Sequence, residues 1–319
     1  MKTRTLSAAA LLGAASLLLS ACSGTSSGAL ASDAATTGGA VEVVASTNVY
    51  GDLVSAIGGD LVDVTSIIDS PDKDPHEYEA TARDQLAVSN AALVVENGGG
   101  YDSFIDTMLD AASSEAPVVT ATVVAGLEEE HDQAAASSDE SHEHAEFNEH
   151  VWYDLSAVRT IAGTIGDELS SIDPGNASTY SSNVAALDSS LDALIAREGE
   201  LKGTLSGRSI AITEPVPLYM TTALGLTNAT PEAFSEAVEE GTDVPATTLQ
   251  ETLALFSDKT VDALVYNEQT EGAQTDAVLD AAKAAGIPAV GVTETLPDGD
   301  DYVGWMTANL DAIEGALAP

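Results

Sequence analysis

Cysteine, basic residues and aromatic residues are all scarce in this sequence of 319 residues. Cys22 is the only cysteine, so the chain cannot form an internal disulfide bond or bind zinc through a set of thiolates. The 10 lysines and arginines stand against 52 aspartates and glutamates, for a formal net charge of -42. Because contacts with phosphates require basic patches, this composition excludes nucleic acid as a partner. An acidic surface concentrates cations, although solubility is the simpler explanation for so large an excess.

The first 21 residues have the pattern of a signal peptide. Two basic residues precede an apolar run, 6–19, that is shorter than a typical membrane span. The letters LSAC that end at Cys22 look like a bacterial lipobox, which implies cleavage before Cys22 and a lipid on it, whereas an ordinary signal peptide would make this cysteine a coincidence. We expect residues 1–21 to be removed and residues 22–40, rich in small polar residues, to form a flexible tether. No other run is long and apolar enough to span a bilayer, so the lipid would be the only anchor.

Short apolar runs alternate with helical patterns from residue 41 onward. In the first half, the strand-like runs begin at Val41, Leu61, Ala91 and Pro117. Asn48 directly follows the first run, where it could cap a helix over 49–57. The same alternation returns from Ser209 to the closing helix. This order predicts an α/β protein with two (β/α) lobes, mostly parallel sheets and helices on both faces of each sheet.

A long helical pattern separates the two halves. Its apolar positions recur at helical spacing, at Tyr180, Val184, Leu187, Leu191, Leu194 and Ile195. A helix from Gly175 to about Leu205 would be about 45 Å long, and Asp173-Pro174 has the pattern of its cap and first turn. We therefore expect an N-terminal lobe at 41–172, a linking helix at 173–206 and a C-terminal lobe at 207–319.

Residues 128–149 interrupt the alternation with an acidic, histidine-rich segment. The segment shows no periodicity, which predicts a loop. Its histidines, His131, His142 and His144, are candidates for auxiliary metal capture. A solvated polar insertion is the alternative, because loosely held ligands lose much conformational entropy on binding.

Four side chains are candidates for one metal site: His76, His150, Glu214 and Glu294. Each follows a strand-like or loop segment, and ligands of open α/β sheets bind beyond the carboxyl ends of strands. Two neutral imidazoles and two carboxylates would complete the shell of a divalent ion and balance its charge. Carboxylates suit Mn²⁺ or Fe²⁺, while imidazole suits Zn²⁺. With two ligands in each half, metal binding would hold the halves together and release would part them.

Five motifs carry a resemblance to a known family. They are DPHEYEAT at 74–81, NEHVWYDLSAV at 148–158, TEPVPLYMTTALGL at 213–226, PEAFSEAVEEG at 231–241 and VTETLPDG at 292–299. Over nearly all of 41–319, the chain resembles the zinc- and manganese-binding lipoproteins of bacterial ABC importers. The resemblance implies two α/β lobes joined by one backbone helix, with a metal site in the cleft between them.

The resemblance also implies the ligands. The family's two histidines fall on His76 and His150, and its third ligand, His or Glu, falls on Glu214. The fourth ligand is commonly Asp, whereas this chain has Glu294, so Glu268 is an alternative. An acidic, histidine-rich insertion is typical of zinc members, whereas two carboxylates resemble the manganese members; we favour Zn²⁺ slightly over Mn²⁺.

The expected function is that of an extracytoplasmic solute-binding lipoprotein, a monomer that delivers metal to the permease and ATPase subunits of an ABC importer. We do not expect an enzyme. A metallohydrolase would keep one coordination position open for water beside a general base, and four ligands from four segments leave no such opening. A binding protein for a chelate such as a siderophore is a further alternative, which would not need two converging histidines.

Overall fold

Within the part of the chain that the structure describes, the strands form two four-stranded sheets with the same order. The computed structural model describes residues 39–71, 73, 75, 78–128, 147–270 and 272–318, which belong to one compact unit, Gly39–Pro319. The strands are β1 (Val41–Thr47), β2 (Val62–Ile68), β3 (Leu93–Glu96), β4 (Val118–Thr120), β5 (Ser209–Ile212), β6 (Thr227–Asn228), β7 (Ala263–Asn267) and β8 (Ala289–Val292). The orders are β2-β1-β3-β4 and β6-β5-β7-β8, and every pair is parallel. The predicted α/β class with parallel sheets is confirmed.

Helices flank both sheets, and one of them is much longer than the rest. They are α1 (Asn48–Gly58), α2 (Ala82–Asn90), α3 (Phe104–Ala112), α4 (Ala121–Val124), α5 (Leu155–Ile172), α6 (Ala177–Leu205), α7 (Leu218–Ala223), α8 (Glu232–Glu239), α9 (Ala246–Ser257), α10 (Ala273–Ala285) and α11 (Tyr302–Leu317). The 29 residues of α6 span about 44 Å and connect the two halves, as predicted.

The cap predicted for the long helix is wrong. Asp173 ends α5, because its backbone N–H still donates to the carbonyl of Leu169. Its carboxylate instead accepts hydrogen bonds from Asn176 and Tyr180 at the start of α6. Asp173 therefore supports the turn between two helices and does not cap the second one.

On the inner strands of both sheets, successive buried residues alternate between two cores, as the pleat of a sheet requires. On β1, Val43 and Ala45 face a central core, whereas Val44 faces the outer side, which α2 and α3 cover. On β5, Ile210 and Ile212 face the same central core, whereas Ala211 packs under α8, α9 and α10. Both sheets therefore present one face to a single central core.

This central core is continuous between the two halves. Residues of α1, α5 and α6 pack there with the last helix, α11, whose Leu310 and Ile313 are buried. Parting the halves would expose apolar surface of this core to water, which costs about 25 cal/mol of free energy for each Å² exposed. The expected opening on metal release stays a prediction, and the shared core opposes a wide separation of the sheets.

Asn48 does not act as the predicted helix cap. Its side-chain amide reaches into the second half, where Nδ2 donates to the carbonyl of Leu296 at 2.8 Å and Oδ1 accepts from the backbone N–H of Leu296 at 2.9 Å. A helix cap bonds to residues close by in the sequence. Asn48 instead bonds to a residue 248 positions away.

Candidate metal centre

The second sheet places two glutamates at its carboxyl edge. Glu214 lies two residues beyond the end of β5, and Glu294 lies two residues beyond the end of β8. Both side chains are buried. Asn267, the last residue of β7, lies between them: its Nδ2 donates to Oε2 of Glu214 at 2.7 Å and to Oε1 of Glu294 at 2.6 Å. One amide group thus fixes the two carboxylates relative to each other.

His150 comes to the same place from the first half, just before a single 3₁₀ turn, Val151–Tyr153. Its ring is fully buried, and Nδ1 lies 2.7 Å from Oδ1 of Asn148. Because Nδ2 of Asn148 donates to the carbonyl of Pro215, Oδ1 is the amide's acceptor and Nδ1 of His150 carries the proton. In this tautomer the lone pair is on Nε2, so Nε2 is the nitrogen that can bind a metal.

Carboxylate oxygens surround Nε2 of His150. Oε1 of Glu239 lies 3.5 Å from this nitrogen, and Oε2 of Glu294 lies 4.0 Å from it. One ligand atom from each of Glu149, His150 and Glu239 lies within 4.8 Å of the other two. A nitrogen and several hard oxygens at these separations can bind a divalent transition metal.

An aromatic wall closes one side of the centre. The ring of His150 packs edge-on against Tyr101 and Trp152, with centroid separations of 5.9 and 5.1 Å. The hydroxyl of Tyr101 donates to Oε2 of Glu294 at 3.1 Å. Burial and then the charge of Glu294 raise the pKa of Tyr101, so this hydroxyl keeps its proton and remains a donor.

Negative charge accumulates in the centre. Burial, followed by the charges of Glu149, Glu214, Glu294 and Glu240, raises the pKa of Glu239 to about 10. Buried carboxylates repel one another, so one of them is held in its protonated form near neutral pH. A divalent cation would offset this repulsion and release the proton.

Several residues predicted for the site lie outside the described residues: His76, Cys22, His131, His142 and His144. The segment before His76 does contact the second half, since Nε2 of Gln269 donates to the carbonyl of Pro71 at 3.2 Å. Oε1 of the same glutamine accepts from the backbone N–H of Glu294 at 2.7 Å. Glu268, directly after β7, is exposed, and its Oε1 accepts a hydrogen bond from the hydroxyl of Tyr266. The structure therefore brings together His150, Glu214 and Glu294 and turns Glu268 away.

The centre also includes residues that were not predicted as site residues: Asn148, Glu149, Asn267 and Glu239. Asn148 and Glu239 fall within motifs that the resemblance rests on, and Asn267 precedes the alternative ligand Glu268. Helix α8, which carries Glu239, was not predicted either. Its apolar residues Phe234, Ala237 and Val238 do have helical spacing, and this signal could have found it.

The fold and this cluster define a class: a two-lobed α/β binding protein with a nitrogen- and oxygen-lined site at the carboxyl edge of parallel strands. The chain belongs to the family described as zinc-uptake complex component A, periplasmic (ZnuA), whose model matches residues 43–316.

Two curated relatives are 27% identical to the chain. One is the iron ABC transporter substrate-binding lipoprotein MtsA of Streptococcus pyogenes serotype M1, aligned over 94% of each chain. The other is the manganese ABC transporter substrate-binding lipoprotein PsaA of Streptococcus pneumoniae serotype 4, aligned over 89% of this chain and 91% of the relative. Among solved structures, the periplasmic zinc-binding protein TroA from Treponema pallidum has a TM-score of 0.72 at 24% identity, covering 88% of this chain and 100% of TroA. This similarity supports the fold.

The chain is thus a substrate-binding protein of a metal ABC transporter, and it is not an enzyme. Proteins of this class act outside the cytoplasm with membrane permease and ATPase components. The comparisons favour neither the metallohydrolase nor the siderophore-binding alternative. Within the described residues, no helix is both long and apolar enough to cross a membrane.

Proposed function

We propose that the chain captures one divalent transition metal, Zn²⁺ or Mn²⁺, with His76, His150, Glu214 and Glu294, and delivers it to the permease of its transporter. The metal is the cargo, and the ligands come from both halves of the chain. The lipid expected on Cys22 would keep the protein, as a monomer, at the outer face of the cell membrane.

The observation that carries this proposal is the position of Nε2 of His150. This nitrogen is buried and carries the lone pair of the ring. It lies within 4.0 Å of carboxylate oxygens from the other half of the chain. Asn267 holds Glu214 and Glu294 together on the opposite side. Preorganised ligands of this kind lose little entropy on binding, which favours tight capture.

The printed names of the relatives support a divalent cation without selecting one. MtsA is named for iron, PsaA for manganese and TroA for zinc. The slight preference for Zn²⁺ depends on residues 128–149, most of which lie outside the described residues. The oxygen ligands of the centre suit Mn²⁺ or Fe²⁺ as well as they suit Zn²⁺.

Metal analysis of the chain purified without added ions, followed by competition between Zn²⁺ and Mn²⁺, tests the proposal. We expect one ion per chain in the wild type and a large loss of affinity in His150→Ala and Glu214→Ala, with the fold retained. Unchanged stoichiometry and affinity in Glu214→Ala would count against that ligand. Turnover of ester, amide or phosphate substrates by the loaded protein would count against a pure binding function.

A further inference from the structure

The geometry points to Glu239 as a further metal ligand, one that shifts the relative affinity of the centre towards Mn²⁺ and away from Zn²⁺. This inference rests on the proposed function, because it concerns the ligands and the selectivity of the same centre.

The first observation is that Glu239 differs from the other glutamates of its segment. Glu232, Glu236 and Glu240 are exposed, whereas the side chain of Glu239 is 11% exposed. In so acidic a chain an exposed glutamate needs no explanation, but a glutamate turned inward among other carboxylates does.

Helix α8 fixes this orientation through its packing. Phe234, Ala237 and Val238 are buried in the core beneath the second sheet, together with Ala211 of β5 and Leu264 of β7. Ser235 is also buried and lies one turn before Glu239 on the same face of the helix. The packing of α8 therefore directs the Cα–Cβ bond of Glu239 inwards, on the same side as the buried Ser235.

The distance to His150 is the one that two ligands of a single ion would have. Two ligand atoms about 2.1 Å from one ion lie about 3.0 Å apart at right angles, as in a six-coordinate shell, and about 3.4 Å apart in a tetrahedral shell. Oε1 of Glu239 and Nε2 of His150 are 3.5 Å apart. Oε2 of Glu294 is farther from the same nitrogen, at 4.0 Å. The position of Glu239 therefore fits a place next to His150 in one coordination shell.

A further oxygen does not serve all metals equally. Zinc in closed protein sites is almost always four-coordinate, and two imidazoles with two carboxylates already complete such a shell. Mn²⁺ prefers oxygen ligands and accepts a larger number of them. Glu239 would therefore add more to the binding of Mn²⁺ than to that of Zn²⁺.

The test compares three variants of the purified chain by competition against a chelator, with Mn²⁺ and Zn²⁺ measured separately. Glu239→Gln keeps the size of the side chain and removes the charged ligand. Glu239→Asp keeps the charge and withdraws the carboxylate by one carbon. Glu236→Gln is the matched control, since it removes an exposed carboxylate from the same helix.

We expect both Glu239 variants to lose Mn²⁺ affinity by about 10- to 100-fold, while Zn²⁺ affinity changes by much less and Glu236→Gln resembles the wild type. An unchanged ratio of Mn²⁺ to Zn²⁺ affinity in Glu239→Gln would overturn the inference, whether both affinities fall or neither does. Full Mn²⁺ affinity in Glu239→Asp would also overturn it, because the carboxylate would then act through its charge alone. A wild-type chain that binds neither ion would instead refute the proposed function.

Discussion

Asn148 accepts a hydrogen bond from Nδ1 of His150 at 2.7 Å and so decides which nitrogen of the ring faces the metal centre. The same asparagine donates to the carbonyl of Pro215, and its own carbonyl accepts from the hydroxyl of Tyr219. One residue therefore sets the tautomer of a ligand from the first half and ties it to the residue after Glu214 in the second half.

Replacing Asn148 should weaken metal binding without touching a ligand. We expect Asn148→Ala to reduce metal affinity by about 10- to 100-fold, because the ring of His150 loses the partner that fixes its tautomer and orientation. Competition with a chelator measures the affinity, and circular dichroism checks the fold. Wild-type affinity in a folded Asn148→Ala protein would show that the hydrogen bond has no part in binding.

Asn267 should contribute more to the stability of the metal-free protein than to that of the metal-loaded protein. Without its amide, Glu214 and Glu294 lose a shared donor, and leaving buried acceptors unsatisfied costs about 1–3 kcal/mol. A bound cation would take over part of this role. We expect Asn267→Ala to lower the free energy of urea-induced unfolding more in the metal-free protein than in the loaded one.

The comparison of the two states is what makes this variant informative. An equal loss of stability with and without metal would mean that Asn267 acts only in packing. Thr270→Ala is a suitable control. The hydroxyl of Thr270 accepts a hydrogen bond from the same Nδ2 of Asn267 at 3.0 Å, and its removal leaves the bonds from Asn267 to both glutamates in place.

Sequence patterns were sufficient for the features that depend on neighbouring residues. The apolar runs around Val43, Val94 and Ile210 predicted buried parallel strands, and Glu214 and Glu294 were placed correctly at strand ends. The position of His150 after a loop segment made it a candidate, and the family resemblance then placed a histidine ligand on the same residue.

Features that depend on contacts between distant elements could not be predicted in this way. Asn48 has the local pattern of a helix cap, yet its amide bonds to Leu296 in the other half. Glu239 reads as one glutamate among many, and only the packing of α8 turns it towards His150. Such contacts are fixed by tertiary packing, which a local pattern does not contain.

Glu198 on α6 should make the protein less stable as the pH rises. Its side chain is buried beside a cavity of about 400 Å³, and one oxygen has no hydrogen-bond partner among the described residues. Burial and then the charge of Asp154 raise its pKa from 4.5 to about 7. Because the folded state binds this proton more tightly, the stabilisation is complete below pH 4.5 and is lost as the pH rises through about 7.

Glu198→Gln should remove this pH dependence. We expect the variant to be more stable than the wild type by about 1–2 kcal/mol at pH 8, with no such advantage near pH 4, because the nearby cavity screens part of the full effect. Urea unfolding at both pH values measures the difference. Glu200→Gln, which changes an exposed glutamate of the same helix, is the control. If the wild type were as stable as Glu198→Gln at pH 8, the raised pKa assigned to Glu198 would be contradicted.

Removal of residues 131–146 should spare the main site. Glu128 and Phe147, on either side of this segment, both approach Gly99: Oε2 of Glu128 accepts from its N–H at 3.2 Å, and a Cβ at Gly99 would lie 3.2 Å from the ring of Phe147. A short connection can therefore join them. We expect unchanged stoichiometry at the main site with slower capture or altered selectivity, measured by stopped-flow mixing with metal. Loss of stoichiometric binding would place a main ligand within the deleted segment.

Anomalous diffraction at the metal edge, from crystals of the loaded chain, tests the central claim most directly. We predict one main peak at about 2.0–2.2 Å from Nε2 of His150, with His76 and carboxylate oxygens of Glu214 and Glu294 completing the shell. A main peak outside bonding distance of His150, with Glu214 and Glu294 still joined only through Asn267, would contradict it.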